Sequence, residues 1–276
     1  MKMKTYRIQD YKAAKETLKK YMTNKKDYAF IHYACQSFYE AQQDISPRIA
    51  AICVMYANSK QVHLFSLASL AERKNVDLTC CDEKELDVLE KELIQDFYTF
   101  MKGQKNIRFW LHWNMRDQNY GFEAIAQRYC RLAQRKKAPI QMDNDKLINM
   151  SSLLHQRYGE NFADHPRLIS LLNVNNIHPK NLLDGAQEAE AFKGKAYLVI
   201  DRSVQAKVQS FAEVMDRAGN QELITKGKIL RDIYGVSPAG IFTYLRENIV
   251  FGAIATLIGG VAVNFIYDLI KRVINH

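Results

Sequence analysis

Proline and glycine are scarce, at five and twelve in 276 residues, which excludes a collagen-like or linker-rich chain. Cysteine is scarce too, and its five positions (35, 53, 80, 81 and 130) contain no C-x-x-C. An odd count without that spacing argues against a disulfide framework or a zinc site and fits a reducing compartment. Neither G-x-G-x-x-G nor G-x-x-x-x-G-K-[ST] occurs, so nucleotide cradling has no support, and without G-x-S-x-G neither has acyl transfer at Ser203. His155, His165 and His178 are dispersed, with no pair at helical ligand spacing. The N-terminal segment lacks the apolar stretch of a secretory signal, which leads to the expectation of a cytosolic body.

What the chain does have is an ordinary folding composition, 47% hydrophobic and 25% charged, with a basic surplus. Thirty-nine Lys and Arg stand against thirty Asp and Glu, a net charge of +9. Such a balance favours nucleic acid, through a basic surface, or an anionic membrane as partner. Residues 1–24 read as a lysine-rich, exposed helix starting after Asp10.

Residues 25–220 read as an α/β domain. Tyr28–Gln36 is an apolar, aromatic run typical of a buried strand, and Arg48–Tyr56 with Gln61–Leu67 has the pattern of a β-hairpin. Asp82–Met101 is an amphipathic helix with acids in its first turns, where the helix dipole favours them. Ile107–Trp113 reads as a strand, Tyr120–Ala133 as a helix and Ala138–Met142 as a short strand. Helices follow around Lys146–Tyr158, Pro166–Asn173, Ala186–Phe192 and Ser203–Arg217. The order implies a mixed sheet flanked by helices.

A connecting helix is expected over residues 221–246, then a hydrophobic helix over 247–272. Ile249–Tyr267 is nineteen residues without a charge, the length of a membrane span. Gly252, Thr256 and Gly260 recur every four residues as a close-packing face, and Asn264 is an interhelical hydrogen bonder. These features give the expectation of a bilayer partner, a homo-oligomer and a single-pass plasma-membrane protein with its N-terminal domain cytoplasmic.

The segment Leu111-His112-Trp113-Asn114-Met115-Arg116-Asp117, followed by Tyr120-Gly121-Phe122, resembles a His-Asn…Phe-Asp landmark of the DEDD-type (proofreading-like) exonucleases. Leu168-Ile169-Ser170-Leu171-Leu172 with Asn176-Ile177 resembles a later one, and the element order is similar to the RNase H-like fold of that family over residues 28 to 217. The resemblance implies two metal-holding carboxylates at the end of the first strand, where this chain has Ala34 and Gln36. A degenerate site follows, since two-metal phosphoryl transfer needs several converging acids.

Two readings result. The first is a membrane-anchored, non-catalytic sensor or scaffold without cofactor, such as a bacterial defence or toxin effector, with a polar ligand pocket formed by His112, Asn114 and Arg116. The alternative is a membrane-tethered exonuclease using Mg²⁺ or Mn²⁺ held by Asp117 and Asp201, with Glu40 as a further acid.

Overall fold

The computed structural model describes residues 3–37, 46–115, 120–235 and 237–247. Five strands form one mixed sheet, β1 (Tyr28–Cys35), β2 (Ile49–Tyr56), β3 (Val62–Ser66), β4 (Phe109–His112) and β5 (Leu147–Asn149), in spatial order β3-β2-β1-β4-β5. β1, β2 and β3 are joined antiparallel, whereas β4 and β5 run parallel to β1. Both β1 and β2 are buried for seven of eight residues, which explains why they read as continuous apolar runs instead of alternating ones.

The helices are α1 (Met3–Thr23), α2 (Leu67–Lys74), α3 (Glu83–Gly103), α4 (Phe122–Leu132), α5 (Met150–Tyr158), α6 (Arg167–Val174), α7 (Gly185–Lys193), α8 (Tyr197–Gly219) and α9 (Pro238–Glu247). α8 lies across β1 and β2, and α1 packs on α8 and α5. α1 is no solvated arm: Ala14, Leu18 and Tyr21, at spacing i, i+4, i+7, are buried in the main core. Burying a side chain the size of Leu18 contributes about 1.5–3 kcal/mol relative to exposure. α3 starts in a reciprocal capping box between Asp82 and Glu85. Its Glu90, fully buried, accepts from the Ile49 amide (2.7 Å) and from Arg128 Nε on α4 (2.8 Å), so one carboxylate ties two helices to the sheet.

Three local expectations need correction. No strand occupies Ala138–Met142, where Pro139 lacks a ladder donor. The fifth strand instead lies at Leu147–Asn149, inside the segment read as helix. The Asn149 side chain accepts from Ser151 N, so α5 begins only at Met150 and the three residues before it stay extended against β4. Residues 221–246 are not one helix; Gly227, a π-helical turn at Leu230–Tyr234 and Gly235 at φ 77° interrupt them before α9.

The membrane reading is also corrected. Among the described residues no helix is long and apolar enough to cross a bilayer. The long helices α1, α3 and α8, of 21, 21 and 23 residues, all carry charged faces. Ile249–Tyr267, with Gly252, Thr256, Gly260 and Asn264, lies outside the described residues. The expected membrane helix, bilayer partner, single-pass plasma-membrane placement and membrane-effector function therefore find no support among the described residues.

Candidate functional site

β1 and β4 are parallel neighbours at the centre of the sheet, and their C-terminal ends open on the same side, where α/β proteins commonly place ligands. His32, two residues before Ala34 on β1, shares its face of the sheet and meets α8 edge-on at Phe211, ring centroids 5.9 Å apart. α7 is started by a capping box between Asp184 and Gln187, which fixes its first turn and directs Glu188 at α8. On α8, Ser203 and Lys207 stand four residues apart on one face.

These residues form a buried polar cluster. Glu188 Oε1 accepts from the Ser203 hydroxyl at 2.7 Å, and Glu188 Oε2 meets Lys207 Nζ at 2.6 Å. His32 Nε2 stands 3.7 Å from the same Oε2, beyond a normal hydrogen bond, and has no other partner among the described residues. His32, Glu188 and Lys207 are each only 6% exposed. Burial by itself would raise the Glu188 pKa, but its polar neighbours, the Lys207 ammonium above all, hold it well below the usual carboxylate range. Burial lowers the His32 pKa and the charge of Lys207 lowers it further, so the imidazole is neutral near pH 7. Lys207 is also lowered by burial, against the opposing pull of Glu188. Wherever the shared proton sits, the cluster sums to zero charge.

The cluster forms one wall of a cavity of about 590 Å³. Tyr33, Tyr120 and Trp113 line it with their rings, and Cys35, Asn114 and Ala189 also contribute. Tyr33 and Tyr120 stack with centroids 4.6 Å apart, and the Tyr120 hydroxyl donates to the Tyr33 carbonyl at 2.9 Å. The Gly121 amide donates to the Tyr33 hydroxyl, locking the turn into α4 onto β1. Cys35 is no nucleophile, because burial and the nearby Glu188 charge push its thiol well above its ordinary pKa.

The exonuclease reading is corrected on this geometry. Ala34 and Gln36 both line the cavity but bring a methyl and an amide; of the two carboxylates that line it, Glu188 already faces an ammonium and Glu190 is exposed. Among the described residues no group of three or more His, Cys, Asp or Glu is placed to hold a metal ion. A Mg²⁺ or Mn²⁺ cofactor thus has no ligand set among them. Asp201 projects from α8 toward β3 instead, where it accepts from the Ser66 hydroxyl at 2.7 Å. Its other oxygen has no partner among the described residues, and burial raises its pKa to about 6. Glu40, Arg116 and Asp117 lie outside the described residues.

Of the ligand-pocket residues read from the sequence, Asn114 lines the cavity, in a left-handed conformation at φ 57°. Its amide donates to Asn149 Oδ1, joining the exits of β4 and β5. His112 is buried at the strand end, where its Nδ1 accepts from the Met115 amide and shapes the turn. Sequence reasoning missed His32, Glu188 and Lys207. One signal pointed to Lys207: it interrupts the apolar stripe Ile200, Val204, Val208 and Phe211, all of them fully buried. A lysine inside such a stripe needs a buried partner. Nothing local marks that partner as Glu188. Compared with known proteins, the chain matches no family model, and neither a curated protein nor a solved structure matches it.

Proposed function

We propose that this protein binds a small, neutral, largely apolar ligand at the C-terminal edge of its central strands. The carrying observation is the cavity of about 590 Å³ in which three aromatic rings face a charge-compensated cluster of His32, Glu188 and Lys207. A ligand pocket typically has this size, an apolar lining and a few convergent polar groups with shifted pKa values. The compensated cluster offers an ion no counter-charge, and the exposed Glu190 carboxylate, which also lines the cavity, further disfavours an anion. Rings on the walls favour an aromatic or other flat ligand body.

Trp113 provides the test, because it lies in the cavity wall whereas Trp110 is buried against Phe122. Indole or phenol at millimolar concentration should raise the melting temperature, and phenol should shift Trp113 emission. Ala189→Trp, which fills the cavity from α7, should abolish both responses. Absence of any response in the wild type, or an equal response in Ala189→Trp, would refute the assignment.

A further inference from the structure

The starts of the parallel strands, at the opposite edge of the sheet, form a second and differently built surface. Tyr28 and Cys35 at the two ends of β1 are roughly 23 Å apart at the usual rise of a strand. Residues 1–27 contain nine Lys and Arg against three acids, a net +6 of the chain's +9. Lys25 pairs with Asp216, and Arg7 donates to the Asp232 carbonyl. Lys15, Lys19, Lys20 and Lys26 are exposed and make no ion pair with any described residue. Arg108, with its side chain 70% exposed and only loosely paired with Asp27 at 3.9 Å, stands beside Lys26, because its amide donates to the Asp27 carbonyl.

Next to these cations a cleft of about 390 Å³ opens between α1, α5 and the edge formed by β4 and β5. Lys20 lines it from α1. Tyr28 and half-buried Phe109 line its floor, stacked with centroids 5.0 Å apart and planes 27° from parallel. Asn149, Ser152 and Gln156 bring hydrogen-bonding groups to the far wall, and Asp145 stands on that rim.

We infer that this cleft binds single-stranded nucleic acid, with phosphates along the lysines of α1 and the Lys26–Arg108 corner and a base placed on the Tyr28–Phe109 stack. Cations tracking the backbone beside an aromatic platform are the two components of sequence-tolerant single-strand binding. Asp145 fixes the polarity of the arrangement, since it repels phosphate from the far wall and leaves that wall to the base edge. A duplex keeps its bases stacked inside the helix and offers no ring to Phe109. An anionic bilayer fits less well: a helix lying on lipid needs an outward apolar face, and α1 turns Ala14, Leu18 and Tyr21 into the core. Among its described residues no large hydrophobic side chain is exposed.

Fluorescence anisotropy with the full chain and a labelled oligo-dT of roughly 12 nucleotides tests this. Affinity should fall with salt, with a slope near −0.7 for each phosphate a cation neutralises. The Lys19→Glu, Lys20→Glu pair should weaken binding about tenfold or more and make that slope shallower, with the melting temperature unchanged because both side chains are exposed. Phe109→Leu keeps apolar volume but removes the ring, and should weaken binding about five- to tenfold at an unchanged salt slope. Circular dichroism confirms that each variant is folded. Equal affinity for duplex and single strand would overturn the inference, as would uptake by phosphatidylglycerol vesicles without oligonucleotide binding, or unchanged affinity in Phe109→Leu.

Discussion

Replacing Lys207 by methionine keeps most of the side-chain volume and removes only the ammonium. Glu188 then stays 6% exposed, with the Ser203 hydroxyl as its remaining close donor and neutral His32 beside it. Removing one partner of a buried pair leaves an uncompensated charge, typically about 3–5 kcal/mol of lost stability. Urea denaturation at pH 7 should therefore show a lower midpoint at an unchanged m-value. The deficit has a defined pH dependence. Without Lys207 the Glu188 pKa rises, and protonation neutralises the orphan, so the gap between variant and wild type should narrow as pH falls below about 5. A second substitution, Glu188→Gln, removes the charge at any pH and should return the Lys207→Met chain to within about 1 kcal/mol of wild type. A cost under about 1 kcal/mol for Lys207→Met at pH 7, or a double variant no more stable than the single one, would contradict an orphaned buried charge at Glu188.

Asp201 should act in the opposite sense to Glu188. Its pKa is raised by burial from 3.8 to about 6, so the folded state binds the extra proton and stability should fall by about 3 kcal/mol as pH rises from about 4 to 6, then level off. Asp201→Asn should flatten that part of the pH–stability curve; an unchanged slope would assign it elsewhere. Glu90→Gln should cost about 2–4 kcal/mol by urea melts, because Arg128, only 4% exposed, loses its buried counter-ion. Gly227→Ala should cost more than about 1 kcal/mol, since a Cβ there would lie 2.1 Å from the Tyr158 carbonyl oxygen; a neutral result would show that this loop shifts freely.

The sequence alone determined the elements whose signals are local. β1 and β2 were legible from unbroken apolar runs, α3 from its amphipathic stripe and acidic first turn, and the β2–β3 hairpin from the polar residues between two apolar segments. β5 was not, because three residues have no periodicity of their own and became a strand only by pairing with β4 ahead of the Asn149 cap. The surplus of charge in residues 1–27 was plain in composition, yet which face of α1 is buried depended on α5 and α8 being there to cover it. The cavity belongs wholly to the tertiary level. His32, Glu188 and Lys207 come from a strand and two helices that lie far apart in the chain. Each looks like an ordinary polar residue by itself, and only packing that excludes water from all three makes their charges answer to one another.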